Sequence, residues 1–114
     1  MSSPFPLTPF HYLQIIDATP LVSVDLLIEN SEGKFLFGKR KNKPAQGTWF
    51  IPGGRVYKNE KILDAVNRVL KDETKLECPH PRFMGVYEHI YDDNFMGIEH
   101  VNTHYIALGF SIKI

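Results

Sequence analysis

The chain of 114 residues is long enough for one domain and too short for two. Its 43% apolar and 23% charged content excludes disordered and collagen-like classes. Thirteen basic residues balance thirteen acidic ones, so no global charge recruits nucleic acid or a membrane surface, and any anion site must be assembled locally.

Residues 1–7 read as an irregular, proline-rich arm without the basic start and apolar stretch of a secretory signal. Thr8-Pro9 then supplies an N-cap followed by an N1 proline. Phe10, Leu13 and Ile16 follow at helical spacing and Pro20 closes the segment, which predicts a short helix over 9–17. Residues 21–29, LVSVDLLIE, alternate imperfectly and are rich in β-branched types, so they predict a strand. Asn30-Ser31-Glu32-Gly33 is turn-forming, and a second strand over 34–40 would complete a hairpin. Residues 41–47 read as a basic loop, 48–51 as a short strand, and Pro52-Gly53-Gly54 as a break in the regular pattern.

Over residues 60–74, Ile62, Leu63, Val66, Val69 and Leu70 recur at spacings of three and four, which predicts an amphipathic helix. Residues 82–91 and 101–114 read as strands around a polar loop, 92–97. The order is mixed α/β, without the regular alternation of a doubly wound parallel sheet. Cys78 is the only cysteine and has no internal partner, which fits a reducing, cytoplasmic setting. No apolar run approaches the ~20 residues that span a bilayer.

Chemistry concentrates in Gly53-Gly54-Arg55 and the helix that follows. Consecutive glycines turn sharply and admit close approach to the backbone. A loop ending at a helix N-terminus presents unpaired N–H groups and a favourable dipole to an anion or to its own acids. Arg68 and Asp72 are four apart, as are Glu60 and Asp64, so one helix face carries acids with an arginine among them. Such oxygen ligands suit Mg²⁺, which takes one or two carboxylates with phosphate oxygens and waters. Charge alone favours an ion-paired, solvated helix face. The preceding Pro-Gly-Gly-Arg and the spacings favour a site.

In these residues the chain resembles the Nudix family, whose box runs Gly-x5-Glu-x7-Arg-Glu-U-x-Glu-Glu-x-Gly-U, with U a bulky apolar residue. Gly54, Glu60, Arg68, Leu70, Glu73 and Leu76 match in register. Val69 stands in place of a glutamate, Asp72 is a shortened acid, and Lys75 replaces the final glycine. The stretches TPLVSVD, GKRKNKPAQGTWFIPGGRV, GVYEHIYDDNF and THYIALGF make the chain similar to the GDP-mannose mannosyl hydrolase branch of that family. The resemblance implies one domain over 1–114, a Nudix-like α/β/α sandwich with a mixed β-sheet. It implies hydrolysis of GDP-mannose or a related GDP-hexose to GDP and free sugar, water attacking the anomeric carbon. It also implies a homodimer with no nucleic-acid or membrane partner.

Residue by residue, the resemblance implies that the Gly53 carbonyl and the Glu73 carboxylate hold Mg²⁺, one ion per site because Val69 removes a ligand. Arg40 and Arg55 match phosphate-contacting arginines, and Asp25 matches an acid beside the sugar; these three would carry catalysis. Arg68, His89 and Tyr105 match further substrate-side positions. Structural readings stand beside these. Arg40 also fits a strand-end surface charge, Arg68 an ion pair with Asp64, Asp72 or a loop acid, and His89 and Tyr105 satisfied core positions. Asp25 is the most telling, because an acid within an apolar strand needs a partner or a function. His100 and His104 read as structural.

In that branch a loop histidine beyond the last strand seen here serves as general base, and a neighbouring glutamine completes the metal site. No counterpart precedes Ile114, so the family's C-terminal strand and helix are expected to be lacking. Two other activities remain compatible with the residues. One is a nucleoside diphosphate-sugar pyrophosphatase attacking phosphorus, the other a non-catalytic nucleotide-sugar-binding Nudix domain.

Overall fold

A computed structural model describes residues 8–41, 43–44, 46–77 and 80–114; the arm expected over 1–7 and Cys78 lie outside them. Thr8 caps the first helix, α1 (Pro9–Ala18), its hydroxyl accepting from the His11 N–H at 3.2 Å. Pro9 occupies the first turn, where its missing N–H removes no hydrogen bond. The other elements are β1 (Leu21–Glu29), β2 (Gly38–Lys39), β3 (Trp49–Phe50), β4 (Gly53–Arg55), α2 (Ile62–Thr74), β5 (Arg82–Tyr91) and β6 (Thr103–Lys113). No helix among the described residues is long and apolar enough to cross a membrane.

The strands β4-β1-β6-β5 form one mixed sheet, with β1 and β6 parallel and the other neighbours antiparallel. Alternation along β1 divides its side chains between two faces. Val24, Leu26 and Ile28 pack with Phe110 and Ile112 of β6 against Ala65, Val66, Val69 and Leu70 of α2. Those helical residues are the inward stripe that the spacing predicts, and α2 closes one face of the sheet. Full burial of each large side chain there contributes about 1.5–3 kcal/mol. Ser23 and Asp25 point to the opposite face, where the small β2–β3 sheet stands over the strands.

The second strand expected over 34–40 is corrected to a single bridge, Glu29 to Phe35, followed by the two residues of β2. The turn itself forms, with the Asn30 side chain accepting from the Glu32 and Lys34 N–H groups. The ladder stops because the same edge of β1 is already taken. Leu26 donates to the Pro52 carbonyl, and Ser23–Asp25 pair with Arg55–Gly53. Gly53 and Gly54, expected to break regular structure, therefore form β4. The helix expected from residue 60 begins at Ile62, which leaves Glu60 in the preceding turn.

The polar loop after β5 is organised by Asn94, which is fully buried. Its amide donates to the Ile98 and Val101 carbonyls and accepts from the Met96 and Ile98 N–H groups. The Thr103 hydroxyl donates to the Asp93 carbonyl at 2.7 Å and ties the loop to the start of β6. On the far side, β5 is an edge strand with Phe83, Val86 and Ile90 exposed.

Candidate active site

The paired glycines allow three elements to meet. A Cβ on Gly53 would lie 2.6 Å from Asp25 Oδ1 and 2.7 Å from the Val24 carbonyl oxygen. A Cβ on Gly54 would lie 3.0 Å from Val69 Cγ2 of α2. Gly53 thus lets β4 close on Asp25, while Gly54 lets α2 close on β4 from the other side.

Above this junction lies a cleft of about 640 Å³ on the sheet face opposite α2. Asp25 of β1, Gly53 of β4, His89 of β5, Tyr105 of β6 and Arg40 after β2 all line it. Register explains the convergence: His89 pairs with Tyr105, and Tyr105 with Leu21, so alternation sends His89, Tyr105, Ser23 and Asp25 to one face. The His89 Nε2 and Asp25 Oδ2 atoms are 3.0 Å apart. Both side chains are partly exposed to the cleft, so this polar pair is available to a ligand. Arg40 donates from Nε to the Pro44 carbonyl at 2.7 Å and lies over the Phe50 ring. The backbone hydrogen bond at Nε fixes the guanidinium plane.

Arg55 faces the same side, opposite Ser23 in the ladder, although it does not line the cleft. Its guanidinium lies over the rings of Tyr12 and Tyr57 at 5.2 and 5.1 Å. Glu73, an exposed residue on α2 one turn beyond Val69, also lies outside the cleft lining. Arg68 is not in the cleft either. Its partner is the loop acid Glu60, at 2.9 and 3.1 Å from Nε and Nη2, and Nη2 also donates to the Arg55 carbonyl at 2.7 Å. Glu60 accepts in addition from the Tyr57 N–H. Both ion-pair side chains are almost fully buried, at 9% and 3% exposure. The Arg68 hydrogen bond holds the Glu60 carboxyl below the usual carboxylate range, more than burial raises it.

Three aromatic contributions were not singled out from sequence. Tyr91, two residues beyond His89 and so on the same face, stacks on its ring at 6.3 Å and meets Tyr105 edge-on at 6.5 Å. The signal was present in the period-two spacing. Trp49 and Phe50 of β3 form a wall of the cleft. Burial pushes the Tyr91 phenol above its usual range against the opposing charge of Arg40. Burial raises Tyr105 further, with Tyr12 beside it adding to the effect. Both phenols therefore stay protonated as hydrogen-bond donors at neutral pH. His104, across the sheet, lies 3.1 Å from Glu88, and His100 sits in the exposed turn before β6, away from the cleft.

The chain resembles known proteins along most of its length. It is 43% identical over 101 residues to the low-salt glycan biosynthesis protein Agl8 of Haloferax volcanii, a match covering 88% of this chain and 63% of that protein. A match of 43% identity over 68 residues to an ADP-ribose pyrophosphatase of Methanocaldococcus jannaschii covers 60% of this chain and 40% of that protein. The chain thus spans less than two thirds of the length of either relative. Among solved structures, the MutT protein of Methanosarcina mazei superposes with a TM-score of 0.64 at 26% identity, over 85% of this chain and 67% of that one. The Nudix domain family matches residues 19–113, the span that carries the sheet, α2 and the cleft, and the chain belongs to that family.

Proposed function

We propose that this domain hydrolyses GDP-mannose, or a related GDP-hexose, to GDP and free sugar, with water attacking the anomeric carbon. The observation that carries the reading is Val69. Its side chain is built into the core at 4% exposure and sits against Gly54, where other Nudix boxes carry a glutamate. A site short of that carboxylate is poorly equipped to gather several metal ions around phosphorus. Loss of a stabilised diphosphate from carbon asks less of the metal set.

The resemblance leaves two donors for a single ion, the Gly53 carbonyl and the Glu73 carboxylate. Glu73 is exposed and makes no side-chain hydrogen bond or ion pair among the described residues, and Gly53 lines the cleft. No cluster of three acidic, histidine or cysteine side chains forms a ready cage among those residues. That suits Mg²⁺ arriving with phosphate oxygens, held by the Gly53 carbonyl and Glu73. When bound, Mg²⁺ would supply positive charge for the departing diphosphate. Arg40 and Arg55 offer planar donors to the same phosphate oxygens. Asp25, paired to His89, lines the cleft, where a carboxylate would steady positive charge developing at the anomeric carbon of a bound sugar. The relative named for glycan biosynthesis supports a sugar-nucleotide substrate.

A second reading, attack at phosphorus, is favoured by the relative named as an ADP-ribose pyrophosphatase. Turnover of GDP-mannose with Mg²⁺ in ¹⁸O-water separates the two. Label in mannose is the expected result. Label in GMP or mannose phosphate would overturn carbon attack, and GDP-mannose binding without turnover would leave only a binding domain.

A further inference from the structure

The Asp25–His89 pair stands on a border. On one side is the cleft, with Arg40 and Tyr105. On the other, a second cavity of about 230 Å³ opens along the same face of the sheet, and Asp25, His89 and Ile51 line both. Leu27 follows Asp25 by two residues on β1, and Tyr87 precedes His89 by two on β5, so alternation keeps all four on the face of this extension. Met84, the extra residue at the register shift of β5, adds to the wall. Between the two strands lies Gly109 of β6, paired with Asp25 on one side and Gly85 on the other. A Cβ on Gly109 would lie 2.7 Å from Tyr87 Cε2, so the absent side chain lets that ring lie down on the sheet. Apart from the Tyr87 hydroxyl, the polar side chains lining the extension are Asp25 and His89, already joined to each other at 3.0 Å.

From this arrangement we infer that the extension is a subsite for the C5 substituent of the sugar. It selects a 6-deoxyhexose, whose substituent is a methyl group, over a hexose that carries a hydroxymethyl group. The inference rests on the nucleotide-sugar reading above and narrows its substrate. Arg40 lines the cleft but not the extension, so a phosphate-binding cation, Asp25 and the apolar walls come in sequence across the site. A nucleotide-sugar has the matching sequence: diphosphate, anomeric carbon, then the far side of the hexose ring. The C5 substituent is three bonds from the anomeric carbon, through the ring oxygen. With the anomeric carbon beside Asp25, that substituent enters the space walled by Leu27, Met84 and Tyr87. A methyl group there leaves water without giving up a hydrogen bond. A hydroxyl in the same place gives up its water and meets walls that replace little of it. The nearest polar pair is engaged with itself and with the anomeric centre.

The test compares GDP-6-deoxymannose with GDP-mannose, each with Mg²⁺ and the unaltered domain. GDP release should favour the deoxy sugar by about ten-fold in kcat/KM, within what an apolar pocket achieves against one added hydroxyl. Met84→Gln then places an amide on the wall at nearly unchanged volume. Met84 is 48% exposed, so the fold tolerates the change, and a melting curve verifies it. That variant should bring the two substrates level, chiefly by improving the use of GDP-mannose. Equal use of both sugars by the unaltered domain, a preference for GDP-mannose, or a deoxy preference that survives Met84→Gln would each overturn the inference. Attack at phosphorus would release GMP in place of GDP, and the same ratio is then read on GMP. If neither substrate turns over, the reaction proposed above fails and the subsite is judged by binding. Calorimetry with Mg²⁺ should then give GDP-6-deoxymannose a Kd about ten-fold below that of GDP-mannose, and equal values would overturn the subsite.

Discussion

Arg68 shows how one side chain can look functional in sequence and act structurally in the fold. It follows Glu60 by eight residues, yet its guanidinium reaches back over the intervening turn to bind that carboxylate and the Arg55 carbonyl. The clasp fixes the segment from β4 to α2, which includes Gly53 beside Asp25 and Gly54 beside Val69. Removing one partner of a buried pair strands the other without compensation, so Arg68→Ala should cost about 3–5 kcal/mol in urea unfolding. An unchanged unfolding midpoint would refute the assignment. The pH dependence has a definite sign, because the folded pKa of Glu60 lies below its ordinary value of 4.5. Its contribution to stability is fully present above that value and is lost as pH falls through the lower, folded pKa. The melting temperature should decline below about pH 4.5, and Glu60→Gln should flatten that decline.

At the scale of elements, α2 ends on an instructive substitution. Lys75 occupies the C-cap with φ +64, a left-handed conformation that costs a side-chain-bearing residue about 1–2 kcal/mol. The resemblance places a glycine at this position, and the helix keeps the geometry although the glycine is gone. Lys75→Gly should therefore stabilise the domain by about 1 kcal/mol, measurable as a higher melting temperature. A lower melting temperature would show that the lysine contributes more than its strained backbone costs.

Locally encoded elements were the legible ones. The Thr8-Pro9 start of α1, the inward stripe of α2 and the span of β5 each followed from neighbours in sequence. The second strand over 34–40 failed because its outcome depended on competition for the edge of β1 by residues far along the chain. The same limit applied to side chains. Period-two spacing from His89 pointed toward Tyr91, whereas nothing in composition could reveal that Asn94 would find two backbone carbonyls within its own loop. The resemblance named Asp25, Arg40, Gly53, His89 and Tyr105, and the fold brings those five to one cleft. Glu73, Arg55 and Arg68 lie outside its lining.

For the molecule as a whole, the cleft is walled by two sheets of unequal strength: four paired strands on one side and the two-residue strands β2 and β3 on the other. Trp49, the single tryptophan, projects from the weaker wall with 73% of its surface exposed. A nucleotide entering the cleft would remove part of that surface from water. Titration with GDP and Mg²⁺ should move the tryptophan emission to shorter wavelength, saturating with the same Kd found by calorimetry. Unaltered emission at saturating nucleotide would place binding elsewhere.

The parallel pairing of β1 with β6 carries a consequence for biosynthesis. Leu21 through Glu29 find their partners in Tyr105 through Lys113, so the central ladder joins opposite ends of the chain. At ribosomal speeds of roughly 5–20 residues per second, β1 emerges several seconds before the strand that completes it. Throughout that interval an apolar strand waits with an unfilled edge, open to pairing with other nascent chains. Slower translation lengthens the exposure, and a chaperone that shields extended apolar segments shortens its effect. The yield of folded protein should thus be governed by how β1 is protected while its partner is still being made.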